Sequence, residues 1–230
     1  MTPRDAALEA LLQMERRGAW SDGSLKRITA QAGLDGRDAA LCTHLTYGVV
    51  QNRTLLDFYI DGWCSQRAAR LEAVVACALR LGIYQILFMD KVPDRAAVHE
   101  TVELVKRHGK SRAAGMVNAV LRKCAASKNA LPPLPHKGAA ERLTVQYSHP
   151  KWLVLRLLDL IGPDETQEFL RLDNDAVPTC IQVNPLKTTA EDLERELRGD
   201  GVTVQPHPWL EGCLEDSDEI CYEVAHKQCN

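Results

Sequence analysis

LRLGIYQILFMDKVPDRAAVHETVELVK, running from Leu79 to Lys106, is the stretch on which the fold turns. The apolar pattern reaches back from it, so that Leu71, Val75, Leu79, Gly82, Ile86 and Met89 step by three or four, the period that keeps side chains on one face of an α-helix. Val74, Ile83 and Leu87 widen the apolar surface and predict a central helix. Gly82 lowers helix propensity by about 1 kcal/mol relative to Ala, so close helix packing is expected there. Val92 and Pro93 break the chain, Asp94 is placed to cap the next helix, and Val98, Val102 and Val105 form its buried stripe up to Gly109.

Working outward, Ser111 is placed to cap a helix carrying Val117, Val120, Leu121 and Cys124. Upstream, Thr54 and Asp57 have capping-box spacing ahead of Phe58 and Ile60, and Asp35 opens a helix whose stripe is Leu41, Leu45 and Val49. A short helix over residues 24–32 turns Leu25 and Ile28 inward and stops at Gly33. At the start, Thr2, Pro3 and Asp5 read as N-cap, first-turn proline and capping-box acid for a helix bearing Leu8, Leu11 and Leu12 until Gly18. Residues 1–128 are therefore expected to be all-α, with about seven helices. Residues 129–142, with Pro132, Pro133, Pro135 and Gly138, read as a linker.

Residues 143–214 read differently, as a small α+β domain, while the chain overall stays mainly α. Trp152, Leu155 and Leu158 predict a helix stopped by Gly162 and Pro163, and Asp164 caps another through Phe169 and Leu170. Val177 to Asn184 alternates Thr179, Ile181 and Val183 against Cys180, Gln182 and Asn184, as a strand does. Thr189 caps a helix with Leu193 and Leu197, and residues 201–205 offer Val202 and Val204 for a second strand. The pattern weakens from Cys213, and residues 215–230 form an unassigned tail.

At 230 residues and 45% hydrophobic the chain can bury a real core, which excludes wholesale disorder. The apolar-rich stretch Ile83 to Met89 is too short for a bilayer, and the N-terminus lacks a leader pattern, so a cytoplasmic protein without a membrane partner is expected. Eight cysteines without a CxxC pair argue against a disulfide framework, and Cys213, Cys221, His226 and Cys229 lack the tight pairs of a zinc site. The formal net charge of −3 conceals an asymmetry. Residues 1–128 carry 19 Lys and Arg against 13 Asp and Glu, a net of +6, and the remainder 9 against 18, a net of −9. No acidic residue falls between Glu103 and Glu141, a window holding Lys106, Arg107, Lys110, Arg112, Arg122, Lys123, Lys128 and Lys137. A field of one sign attracts polyanions; the plainer alternative is a solvated helix face.

The run Leu79–Lys106, followed by GMVNAVLRK at Gly115–Lys123, resembles the core of the NusB antitermination-factor domain. YSHPKWLV (Tyr147–Val154) and VNPLKTT (Val183–Thr189) resemble the segment that joins such a domain to the catalytic part in the RsmB, or Sun, family of small-subunit rRNA cytosine methyltransferases. The resemblance covers residues 1 to about 210. It implies a NusB-like helical bundle, a partly ferredoxin-like RNA-binding module, and then a domain that binds S-adenosylmethionine. That last domain is not expected in these residues, which show neither a glycine-rich strand-to-helix loop nor a Pro-Cys dipeptide. Carbon five of cytosine becomes nucleophilic only after a thiolate adds to the neighbouring ring carbon, so no catalytic residue is assigned and no cofactor is expected within this chain. Thr179-Cys180 matches the family's catalytic dipeptide in letters only, because it lies in a predicted strand. Gln182 stands where the family often has Arg, and the ending CYEVAHKQCN departs from the family's continuation.

RNA binding needs cations for phosphates and planar groups for unpaired bases. Lys106, Arg107, Lys110 and Arg112 surround the Gly109 helix end, with Arg122 and Lys123 on the next helix; the alternative is that they complement helix C-terminal dipoles. Arg4 is a further candidate on the first helix, on the face opposite the leucines, and reads equally as a surface charge. His149 and Lys151 stand beside Trp152, itself read as core rather than as a stacking platform. Asn184 and Lys187 sit where the second domain's strand meets its loop, and His99 reads as a helix-surface or internally satisfied histidine. The expected partners are ribosomal RNA and a methyltransferase domain C-terminal to these residues, without sequence readout of DNA. The rival function is a NusB-type antitermination or ribosome-assembly adaptor, which would end near residue 130.

Overall fold

The computed structural model describes residues 1–17, 22–135, 138–175 and 179–216, in two compact units, Met1–Asn174 and Asp175–Asn230. Gly18, Lys137, Val177, Cys221, His226 and Cys229, to which the sequence assigned roles, lie outside the described residues.

The first unit opens with α1 (Pro3–Arg17), α2 (Asp22–Ala32), α3 (Gly36–Gln51) and α4 (Arg53–Trp63), then a 3-10 turn at Ala68–Arg70. α5 (Ala73–Phe88) and α6 (Asp94–Arg107) follow, then a second 3-10 turn at Ser111–Ala113 and α7 (Ala114–Ala126). α5 is the hub, packed against α1, α3, α4, α6 and α7, and every residue from Val75 to Ile86 is buried. Its apolar surface therefore wraps the whole cylinder, the arrangement a central helix requires. The expected close approach at Gly82 is present: a β-carbon there would lie 2.7 Å from Leu121 and 3.0 Å from the Thr101 hydroxyl. A second close approach, not read from the sequence, sets Gly48 of α3 against the Tyr84 ring, where a β-carbon would fall 2.0 Å away.

A helix buried all round must satisfy the polar groups it carries. The Arg80 side chain, only 6% exposed, donates to both oxygens of Asp57 on α4, at 2.7 and 3.0 Å, and to Glu15 on α1 at 2.8 Å, while Arg53 reaches the same Glu15 oxygen at 2.8 Å. Burial alone would favour the neutral guanidine, but the two carboxylates outweigh it and hold Arg80 protonated more firmly than a free arginine. Burial also pushes the thiols of Cys42 and Cys77 up to about 11 and that of Cys124 up to about 12, so these cysteines serve as small hydrophobes.

Local signals at the helix starts hold in part. Thr2 and Asp5 form the expected capping box, with reciprocal bonds of 3.1 and 3.2 Å, and Asp35 accepts from Asp38 N–H at 2.8 Å. Thr54 does not cap α4, which begins one residue earlier; its Leu55 N–H instead donates to the Ser148 hydroxyl at 3.1 Å, a cap supplied from a distant part of the chain. Asp94 likewise lies inside the first turn of α6, with Pro93 in the cap position, and Ser111 opens a 3-10 turn ahead of α7.

Three further helices complete this unit: α8 (Ala139–Tyr147), α9 (Lys151–Ile161) and α10 (Pro163–Asp173). Leu143, Val154 and Leu170 form their small core, and α8 packs on α4. α8 starts within the residues read as linker, where its single buried residue, Leu143, left no stripe to see. Gln51 donates to the Asn174 carbonyl at 2.8 Å and Asn174 to the Tyr147 carbonyl at 2.9 Å, tying these helices to the end of α3.

The second unit contains β1 (Cys180–Gln182), α11 (Ala190–Gly199), β2 (Val204–Pro206) and β3 (Cys213–Asp216). The sheet order is β1-β3-β2 with both pairings antiparallel, so β1 and β2 run parallel on either side of β3. This is a split β-α-β unit, the ferredoxin-like element. Val183, Leu197, Val202, Val204 and Leu214 form its core, and Thr189 caps α11 as expected. β3 was not read from the sequence, because four residues running into an acidic tail leave no stretch of alternation to detect. It also takes Glu215 and Asp216 out of the unassigned tail. The architecture expected from sequence, a helical bundle followed by a small α+β domain, is the one observed.

Candidate nucleic-acid interface

The carboxylate of Asp5, placed on α1 to close the capping box, also receives α6. Arg107 donates to its two oxygens at 3.2 and 3.3 Å, and His108 approaches at 3.2 Å. Burial alone would raise the Asp5 pKa, but Thr2 and Arg107 together outweigh it and hold the carboxyl below its ordinary value. Beside it, Arg4 donates to Gln85 at 2.7 Å, turning toward α5 rather than away from the core.

The acid-free window thus divides. Lys106 pairs with Glu103 at 2.7 Å, Arg107 with Asp5, Lys110 with Glu72, and Lys128 with Asp94 at 3.6 Å. Lys123 donates to the Trp63 carbonyl at 3.4 Å. Arg112 and Arg122 are exposed and have no carboxylate partner among the described residues. A window free of acids in sequence is therefore not free of them in space, since Asp5, Glu72 and Asp94 come from elsewhere in the chain.

Around Tyr147–Lys151 the structure separates the candidates. The His149 side chain is 10% exposed, with Nδ1 2.8 Å from the Tyr147 carbonyl and Nε2 2.8 Å from Asp173, so it belongs to the joint between α8 and α10. Lys151 is exposed at the start of α9. Trp152, read as core, is 70% exposed and corrects that expectation: the buried side of α9 runs through Val154, Leu157 and Leu158, and position 152 faces away. His99 is on the surface, as expected.

In the second unit Lys187 is exposed and Asn184 accepts from Leu186 N–H at 3.0 Å, closing an Asx turn after β1. Val183 N–H donates to the Gly212 carbonyl at 2.8 Å, which sets this turn beside the β2–β3 loop. That loop presents Trp209, 78% exposed and edge-on to His207 at 4.7 Å between ring centroids. Trp209 is not among the residues that sequence reasoning singles out, although an aromatic in a Pro-rich loop was the available signal. Cys180 lies in β1, in register with Glu215, as a strand residue. VNPLKTT, the connection from β1 to α11, contains no glycine and turns the N–H groups of Leu186, Lys187 and Thr188 onto Asn184, so the donors that a nucleotide's phosphates would need are already used. Among the described residues no cluster of His, Cys, Asp and Glu could hold a metal ion, and no helix is long and apolar enough to cross a membrane.

Residues 1–126, which contain α1–α7, match the family model for the NusB family. This chain belongs to the NusB family. Beyond its NusB bundle, residues 149–215 match the RsmF/B-like methyltransferase ferredoxin-like domain. The chain is 32% identical over 203 residues to the probable ribosomal RNA small subunit methyltransferase B of Bacillus subtilis, covering 88% of this chain and 45% of that protein. It spans about half the length of the curated relatives it matches. The crystal structure of PH0851 shares the fold over 92% of this chain and 48% of its own length, at TM-score 0.64 and 22% identity. The NusB bundle also resembles the antitermination factor NusB solved with NusE and dsRNA, at TM-score 0.50 and 26% identity, over 54% of this chain and 94% of that one. The expected resemblance, a NusB domain followed by a part like the RsmB group's, is therefore observed.

Proposed function

We propose that this chain binds structured ribosomal RNA and positions a cytosine for methyl transfer by a catalytic domain of the kind its relatives' names imply. The observation that carries this reading is the union of a NusB bundle with an RsmF/B-like module in one chain, since a NusB adaptor alone accounts for residues 1–126 only. Relatives named as rRNA methyltransferases and a NusB relative solved with dsRNA support the RNA substrate. S-adenosylmethionine is then a ligand of the domain that supplies the methyl group and not of the residues described above, and the complex forms in the cytoplasm.

In this reading Lys106, Arg107, Lys110, Arg112, Arg122 and Lys123 face the phosphates, and Arg4 joins them by releasing Gln85. Lys106, Arg107 and Lys110 do so by sharing or exchanging their carboxylate partners. Lys151, Asn184 and Lys187 add contacts beyond the bundle, and His149 acts by holding the α8–α10 joint. Affinity for RNA should fall with salt, the log–log slope changing by about 0.7 to 0.9 per phosphate neutralised. Replacing Lys106, Arg107, Lys110 and Arg112 together by Ala should lower both affinity and slope. A salt-independent affinity would refute the electrostatic reading, and an unchanged quadruple variant would remove these four residues from the interface.

A further inference from the structure

We infer that the bundle's phosphate-gripping face is centred on its two 3-10 turns, where Arg67 and Arg70 join Arg112 and Lys123 to bind RNA. This rests on the reading of the chain as an RNA-binding module, and it names residues outside the acid-free window.

The geometry that joins the two turns is specific. Residues 64–72 leave the end of α4 and return to the start of α5, and both ends of this span are fastened to α7 and the segment that precedes it. At one end the Cys64 thiol lies 3.7 Å from the Met116 sulfur, and Lys123 Nζ lies 3.4 Å from the Trp63 carbonyl. Met116 and Lys123 are seven residues apart on α7, two turns along one face. At the other end Glu72 pairs with Lys110, two residues before Arg112. Between these fasteners Ala68 is buried and its N–H donates to Asp61 at 2.6 Å, while Arg70 N–H closes the turn on the Arg67 carbonyl at 2.9 Å. The backbone that carries Arg67 and Arg70 is thus tied through Glu72 to Lys110, two residues before Arg112, while both arginines remain exposed.

The charge of this face is lopsided. Residues 61–72 and 110–123 carry six Lys and Arg against two carboxylates, Asp61 and Glu72. Asp61 accepts the Ala68 N–H and Glu72 is taken by Lys110, so Arg67, Arg70 and Arg112 have no carboxylate partner among the described residues. On α6 the neighbouring cations Lys106 and Arg107 are each matched to an acid. Guanidinium groups held on a rigid backbone with their donors unspent are suited to phosphate oxygens, which they meet two donors at a time. A phosphodiester strand crossing the two turns would supply the partners that the protein withholds.

The test uses the full chain, a short fluorescein-labelled hairpin RNA, and anisotropy titrations between about 50 and 200 mM salt. Replacing Arg67 and Arg70 together by Ala should weaken binding about tenfold near 100 mM salt and make the log–log slope shallower by about 1.5, as two lost phosphate contacts require. Arg67→Lys with Arg70→Lys should recover most of the slope. Arg27→Ala with Arg37→Ala removes the same charge from exposed positions on α2 and α3 and should change affinity less than twofold. If the Arg67/Arg70 variant binds like the native chain, or if both alanine pairs weaken binding equally, this face is not the site although the RNA-binding reading stands. If the native chain shows no salt-dependent RNA binding, that reading fails and this inference with it. Preference for a polyglutamate competitor over the RNA at equal charge would assign the face to an acidic protein segment instead.

Discussion

Arg80 and Arg112 carry the same guanidinium in opposite regions of the bundle. Arg80 sits where α1, α4 and α5 meet and spends its donors on Asp57 and Glu15; Arg112 stands on a surface turn without a carboxylate partner among the described residues. The first is part of the fold, and the second is free for a ligand. A net charge counted along the sequence weights them equally, yet only the second kind generates a field that a polyanion feels at close range. Arg107 lies between these cases, matched to Asp5 yet 41% exposed, whereas Arg67 and Arg70 are exposed without a carboxylate partner among the described residues.

That contrast can be broken most directly at its buried end. Arg80→Ala leaves Asp57 and Glu15 facing one another across the junction and should destabilise the chain by about 3 kcal/mol, read from urea unfolding; a loss below about 0.5 kcal/mol would mean the junction is solvated like a surface pair. Gly48→Ala drives a methyl group into the Tyr84 ring and should cost about 2 kcal/mol, since the ring is held by the bundle and cannot simply swing clear. Because α3 is helical there, an unstrained site would instead gain stability from Ala, so the sign alone decides.

Smaller effects test the joints. Ser148→Ala removes the cap that α4 receives from the α8–α9 loop and should cost about 1 kcal/mol; Thr54→Ala should cost much less, because the α4 cap is Ser148. Asp5→Asn addresses linkage. The Asp5 carboxyl has a folded pKa below its unfolded value, so its contribution is complete above the unfolded pKa and is lost as pH falls through the folded one. The native chain should therefore exceed Asp5→Asn in stability by about 1 kcal/mol at neutral pH, and the two should converge in acid. Arg112→Ala, by contrast, should leave stability within about 0.5 kcal/mol, as expected of a surface cation without structural partners.

The features legible in the residues alone are those governed by near neighbours. Thr2 with Asp5 and Thr189 with Asp192 are three residues apart, and the stripe from Val75 to Ile86 recurs every three or four residues, so these two helix starts and the burial of α5 can be read directly, whereas Thr54, Asp94 and Ser111 resemble caps without serving as them. The candidate interface is legible as a composition, a run of cations, but not as a set of available groups. Asp5 meets Arg107 across 102 positions of sequence and Glu15 meets Arg80 across 65, and no local rule anticipates either. α8 escapes detection because it starts beside a Pro-rich run, and β3 because four residues running into an acidic tail give no stretch of alternation.

The sequence by itself determined the class of this protein, because helical period, capping chemistry and the order of motifs are properties of residues a few positions apart. The tertiary structure decided which charges are spent and which remain for a ligand, that Ser148 caps a helix it does not adjoin, that His149 holds a joint, and that Trp152 faces outward. These outcomes depend on which distant groups packing brings within about 3 Å of one another, where a hydrogen bond or ion pair is formed or left open.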